Sequence, residues 1–418
     1  MKRVRFQEIQ GRGAGYRAVL GVLALLILGG LGAAYYMEHF GHAVTGMNNR
    51  IVWGTPHVFA VFLIVAASGA LNAASVSSVF GRTPYQPLAR LSGLLAVALL
   101  SGGLMVLVLD LGRPDRLIVA LTSYNFKSIF AWNIYLYMGF FAVVGAYLWV
   151  MMERRMNRFA KPVGWFAFLW RLVLTTGTGS IFGFLVARQA YDAAIMAPLF
   201  IAMSLAFGHA ILILVLMLAC HCAERPLGDA LVRRLKNLLG VFVAAVLYFV
   251  AVQHLTNLYA AEHHGFERFI LAEGGIHTVL FWGGQVVLGG LVPLALLFHP
   301  ATGGRRGAVG LAAGLVVLGG LAQVYVIIIG GQAYPLVLFP GMEPGSGFLD
   351  GAIASYAPSL PELALGISGV AIALMMVALG VKVLPFLPRT LADAPAGPDA
   401  PPADTGTGAE AARATEPA

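Results

Sequence analysis

Ten stretches of this chain are each long and apolar enough to cross a lipid bilayer, and no other feature limits its fold so strongly. They run over about 17–37, 56–80, 88–109, 128–152, 165–187, 193–219, 237–259, 275–298, 307–330 and 361–384. A spanning helix needs about 20 mostly apolar residues, and a barrel strand only about 9–11. The runs are too long for strands and lack two-residue alternation. Inside hydrocarbon, helices satisfy every backbone group within one segment. The expected fold class is an all-α integral membrane protein with about ten transmembrane helices. Composition agrees: 59% of residues are hydrophobic and 11% charged, against about 25% charged in soluble domains.

Lysine and arginine set an orientation. Of the 27, 21 fall at the N-terminal end through Arg17, in the loops near 81–90, 153–171, 221–236 and 299–306, and at the C-terminal end from Lys382 onward. Six fall in the alternate loops, near 38–55, 110–127, 188–192, 260–274 and 331–360. Basic residues collect in cytoplasmic loops, so both termini are expected in the cytoplasm, with the chain in a bacterial cytoplasmic membrane. The net charge of +8 then serves orientation, and no nucleic-acid partner is expected. The apolar run ending near Met37 follows Lys2, Arg3, Arg5, Arg12 and Arg17. It exceeds the roughly 7–15 residues of a signal-peptide core and is read as a retained first span.

Residues 1–390 form the expected transmembrane domain. Residues 391–418, rich in Ala, Pro, Gly and Thr, are expected to be a disordered cytoplasmic tail. The loop 331–360 has no Lys or Arg but carries Tyr334, Phe339, Phe348 and Tyr356. Such a loop is usually ordered by a contact, either a partner subunit or its own bundle.

Cys220 and Cys222 are too few for a cysteine-held iron–sulfur cluster, which needs four thiolates, and no C-x-x-C-H attaches a haem. Adjacent helical residues point apart, so "CHC" at 220–222 is a poor metal site. No metal is expected.

Ionisable residues within a span are costly and usually functional. His57 begins span 2, Asp110 closes span 3, Arg188 ends span 5, and His277 enters span 8. His254 lies about 8 Å from the outer end of span 7, at 1.5 Å per residue. Each has a bland alternative: a helix cap for His57, interhelical hydrogen bonds for His254 with Gln253 and Asn257, snorkelling for Arg188. Their shared depth, in the outer third, argues for a site. His209, about 16 Å from the inner end of span 6, reads either as a haem b ligand or as a relay or packing histidine.

Histidine, aspartate and arginine at an interface suit a ligand that exchanges protons. A quinone fits, with its tail in the apolar bundle and its head group in the polar cluster. Transporters tend to place broken helices and sites at the midplane. A redox-coupled proton translocator stays open, with Asn72, Thr175, Thr176, Thr178 and Gln323 as scattered inner candidates.

The stretches "IVWGTPHVFAVFLIVAASGALNAASVSSVFGR", "LARLSGLL", "LVLDLGRPDRL" and "YNFKSIFAWNIYLY" resemble the NrfD/PsrC family of membrane subunits. Within it they resemble most the DsrP-like branch of dissimilatory sulfur metabolism. The match is densest over about 45–140, and the span layout extends it to nearly the whole chain. The resemblance implies two four-helix bundles, spans 2–5 and 6–9, flanked by spans 1 and 10. It implies menaquinone or ubiquinone chemistry near the outer face in a multi-subunit oxidoreductase complex. The implied partners are a periplasmic ferredoxin-like iron–sulfur subunit, a multihaem cytochrome c, and further membrane and cytoplasmic redox subunits. Family members generally carry no redox cofactor themselves, though a haem b remains the alternative. Matched motifs place His57, Asp110 and Arg113 at the quinone, with Asn125, Lys127 and Ser128 beside it. His57 and Asp110 are the expected catalytic pair. His254 and His277 join the candidates through depth alone. Many family members have another residue after the proline of W-G-x-P, so His57 marks a subgroup.

Overall fold

The computed structural model describes residues 5–11, 13–336 and 351–393. Every expected span folds as a long helix. These are α1 (Ala14–Phe40), α2 (Thr55–Ser78), α3 (Ala89–Leu109), α4 (Ile129–Met152), α5 (Ala160–Gly183), α6 (Met196–Cys222), α7 (Asp229–Tyr259), α8 (Ile276–Phe298), α9 (Arg306–Ala333) and α10 (Leu360–Val383). A helix of 24 residues rises about 36 Å, enough for a hydrocarbon core of about 30 Å. Nine are long and apolar enough to cross a membrane. The exception, α5, has the length, but Arg171, Thr175, Thr176, Thr178 and Ser180 dilute its hydropathy. It still runs the depth of the bundle, because Gly164 abuts Ser78 at the end of α2 while Arg188, just beyond α5, bonds the Arg50 carbonyl before α2.

Helices α2–α5 pack as one group and α6–α9 as a second, with α2 against α6 as the seam. At that seam the backbones nearly touch. A Cβ on Gly69 would sit 1.6 Å from the Ser204 carbonyl oxygen, and one on Gly208 would sit 2.1 Å from the Ala70 nitrogen. Glycine is the residue that permits this approach. Both flanking helices lie on the first group: α10 packs on α2 and α3, and α1 packs on α10.

Helix α2 is broken at Leu71, between Ala70 and Asn72. Ser92 repairs the break, donating to the Ala70 carbonyl (2.6 Å) and accepting from the Ala74 amide (3.2 Å). Arg171 donates to the Ser68 carbonyl and to Asn72 Oδ1, both at 3.2 Å. By sequence Arg171 counts with a basic loop. It instead lies inside α5 and is only 2% exposed. Its neighbours Thr175 and Ser68 are joined at 2.6 Å, so part of the scattered inner polar set is one cluster around the break.

At the Lys/Arg-rich end, strand β1 (Phe6–Gln7) pairs antiparallel with β2 (Leu387–Pro388). Arg225 donates to the carbonyls of Gln7, Glu8, Leu387 and Pro388. The segments flanking the first and last spans therefore meet on one side. The tail expected over 391–418 lies outside the described residues from 394 onward. Residues 337–350 of the long aromatic loop also lie outside them. The described parts of that loop dock on the chain's own helices: Tyr334 packs on Phe266 and Phe269, and the Tyr356 hydroxyl bonds Thr55 and Glu362.

Candidate functional site

His57 sits in the first turn of α2, directly after Pro56. Proline suits this turn because the amide it lacks has no intrahelical partner there. Asp110 caps the end of α3. Packing α2 on α3 brings the two together, with His57 Nδ1 2.8 Å from Asp110 Oδ2. The approach has the length of an ion pair without the alignment of a hydrogen bond. The Asp110 side chain is 1% exposed and that of His57 17%.

A third group completes the site. His42, in the loop after α1, donates Nε2–H to the Asp110 carbonyl at 3.2 Å and lies 4.0 Å from its Oδ1. Gly112, at φ +68, lets the chain turn beneath it, and a Cβ there would meet the His42 ring at 2.9 Å. Asp110 is thus a buried carboxylate between two imidazoles, one largely enclosed and one a third exposed. A buried carboxylate is costly unless paired, and here two imidazoles stand beside it.

Trp53 stacks on His57, with ring centroids 6.1 Å apart and planes 20° apart, and also meets Phe130 and Phe182. Gln332 of α9 fixes the Trp53 backbone. Its Oε1 accepts from the amides of Val52 and Trp53, and its Nε2 donates to the Trp53 carbonyl, all at 3.0 Å. Arg188, counted among the candidate groups by depth, donates to the Gln332 and Arg50 carbonyls and so ties loops together. Beside this lies a buried network around Glu362, which is 0% exposed. Glu362 accepts from Tyr356, the Gly46 amide and the Ser359 amide. Burial, then the Glu362 carboxylate, push the Tyr356 phenol far above its ordinary range, so it stays a donor.

The structure separates the other expected residues from this site. Arg113 does not face Asp110; it turns outward to Asp115 at 3.4 Å, and both side chains are about two-thirds exposed. The helix ends at Asp110 and the Gly112 turn carries Arg113 away, so Arg113, expected beside His57 and Asp110, does not join them. Asn125 and Lys127 are exposed, Asn125 Oδ1 closing a local turn on the Lys127 amide. Ser128 caps α4 through the Ala131 amide. These bonds are both local to the "NFKS" segment and its helix.

His254 and His277 belong to the second helix group. His254 Nδ1 is 2.6 Å from Glu267 Oε2, and Asn257 donates to Glu267 Oε1 at 2.8 Å. Glu267, which carries no distinguishing signal in the sequence, is 0% exposed. It lies on a short helix, His264–Arg268, packed against α7. His277 stacks on Tyr325 at 6.0 Å and packs against Phe269. The residues grouped by depth share one end but form two clusters, one per helix group. His209 Nε2 donates to the Leu235 carbonyl at 3.0 Å, joining α6 to α7. His209 Nδ1 is buried without a hydrogen-bond partner.

The fold and these clusters define a class: a multi-pass helical membrane protein with a buried acid–base pair at the same end of each helix group. The chain belongs to the polysulphide reductase NrfD family, whose family model matches residues 43–335. It is 32% identical over 413 residues to a putative membrane subunit of dimethyl sulfoxide reductase from Halobacterium salinarum, covering 90% of this chain and 93% of the relative. It is 27% identical over 389 residues to the Hdr-like menaquinol oxidoreductase integral membrane subunit of Archaeoglobus fulgidus, covering 92% and 97%. It is 23% identical over 388 residues to the menaquinone reductase integral membrane subunit of Nitratidesulfovibrio vulgaris, covering 86% and 89%.

Proposed function

We propose that this chain is the quinone-reactive membrane subunit of a multi-subunit oxidoreductase complex. It exchanges electrons between the quinone pool and a docked iron–sulfur subunit, in the metabolism of sulfur compounds. One observation carries the reading: the 2.8 Å approach of His57 to a fully enclosed Asp110. Quinol oxidation releases two electrons and two protons, and a protein supporting it needs a proton acceptor at an apolar site. His57 turns Nδ1 toward Asp110, which leaves Nε2 as the atom to meet a quinol hydroxyl. When Nε2 takes the proton, Asp110 stabilises the imidazolium. His42 lies on the more exposed side of Asp110, its Nε2 4.0 Å from Oδ1. Trp53, backed by Phe130 and Phe182, gives the ring an aromatic face to pack on. Quinone reduction runs the same proton steps in reverse.

The names of two relatives, a menaquinol oxidoreductase and a menaquinone reductase, support a quinone as the substrate and menaquinone as its type. The Lys/Arg asymmetry supports placing the site on the periplasmic side of a bacterial cytoplasmic membrane. Partners are the iron–sulfur subunit, a multihaem cytochrome c, and further membrane and cytoplasmic redox subunits. The test is quinol-dependent turnover of the assembled complex carrying His57→Ala or Asp110→Asn. Loss of turnover with assembly intact is expected. Retained quinol oxidation in an assembled variant overturns the assignment.

A further inference from the structure

The second helix group holds polar side chains that the quinone reading does not use. Two small cavities, of about 30 and 20 Å³, lie between α6, α7, α8 and α9. The larger is lined by Gln253, His254, Gln285 and Gln323, the smaller by Gln285 and Gln323 again. The two are therefore adjacent and share two amides. One water needs about 10–15 Å³ measured this way and two to four polar partners. The larger has room for about two waters and the smaller for one. Gln323 is 2% exposed and its Nε2 has no partner, so a buried amide donor faces this space.

The polar end of the larger cavity is His254. Its Nδ1 is taken by Glu267 at 2.6 Å, and Phe281 packs edge-on to the ring at 4.7 Å. Nearby charges have their own partners. Arg268 pairs with exposed Glu273 at 2.6 Å, and His263 Nδ1 donates to the Gln189 carbonyl with exposed Glu262 beside its Nε2. His277 stacks on Tyr325. Among the described residues, His254 is the one titratable base against Glu267. Inward of the two glutamines the smaller cavity is walled by Phe207, Val243, Val246, Leu247 and glycines, which offer a proton no side chain.

We propose that the second helix group contains a hydrated acid–base site of its own, with water as its ligand. Neutral His254 donates Nδ1–H to the Glu267 carboxylate. A proton arriving through the cavity waters adds at Nε2, giving an imidazolium–carboxylate pair, and leaves by the same waters. Gln285 and Gln323 hold those waters in place. The site lies on different helices from His57 and Asp110, so its failure and that of the quinone reading are independent.

The test uses the whole complex. A high-resolution map should show two to three ordered waters running from His254 to Gln323 Nε2, and Gln323→Leu should lose the water nearest residue 323. pH-difference infrared spectra with isotope-labelled histidine should contain an imidazole band that is absent in His254→Gln and shifted in Glu267→Gln. Dry cavities in the wild-type map overturn the proposal. So do infrared spectra that His254→Gln leaves unchanged. Should Glu267→Gln fail to assemble, Gln323→Leu and His254→Gln carry the same two readouts.

Discussion

Replacing Gly69 by alanine should force apart the two helix groups at the seam where α2 crosses α6. The added Cβ would lie 1.6 Å from the Ser204 carbonyl oxygen and 2.3 Å from its carbon. Carbon and carbonyl oxygen normally approach to about 3.3 Å, so the helices must separate locally by well over an ångström. Overpacking costs about 1–3 kcal/mol. Because backbone faces backbone, no side chain can swing away, which puts Gly69→Ala at about 3 kcal/mol, the top of that range. Gly208→Ala opens the same crossing from the other side, its Cβ 2.1 Å from the Ala70 nitrogen, and should cost a similar amount. Once one methyl has parted the helices, the second meets less resistance. The double variant should then lose about 3–4 kcal/mol rather than about 6. Equilibrium unfolding in mixed detergent micelles measures all three. Single losses under about 0.5 kcal/mol, or strict additivity, would refute the argument that this contact is the shared seam.

Other outcomes follow from the placement of individual residues. Arg113→Ala and Lys127→Ala should leave quinol turnover of the complex within about twofold, since both side chains point to solvent and an exposed pair contributes about 0–1 kcal/mol; a steady-state rate assay checks this. Tyr356→Phe leaves Glu362 and the Thr55 amide short of a partner and should destabilise by about 1–3 kcal/mol, read as a lower midpoint in the same micelle titration. Arg225→Ala removes four carbonyl contacts from the paired terminal segments and should expose residues near 5–11 and 387–393 to protease; unchanged cleavage kinetics would mean that the strand pair holds without it.

The ten helices were legible because hydrocarbon demands long apolar runs, and α5 was found in spite of Arg171 because its flanks are apolar. The same rule misplaced Arg171, since a charge near a span end reads as loop. It becomes a buried side chain only through the break in α2, which no periodicity reveals. His57 and Asp110 stood out because ionisable groups are costly where an apolar span has begun or not yet ended. His42 and Glu267 did not, because histidine and glutamate are ordinary in loops. What brings them into the clusters is the chain folding back, His42 over Gly112 and the helix carrying Glu267 onto α7. Depth along a helix was readable, but azimuth was not, and so five groups at one level looked like one site rather than two clusters. Arg113 shows the limit of a motif: the D-L-G-R-P string keeps its neighbours in sequence while the Gly112 turn sends them to opposite sides.

The most direct measurement of the central claim is a map of the assembled complex with a quinone bound. The account predicts the head group against Trp53, with a ring oxygen at hydrogen-bond distance from His57 Nε2, about 3 Å, and Asp110 behind the imidazole. A head group seated elsewhere, with His57 and Asp110 unchanged and untouched, would contradict it.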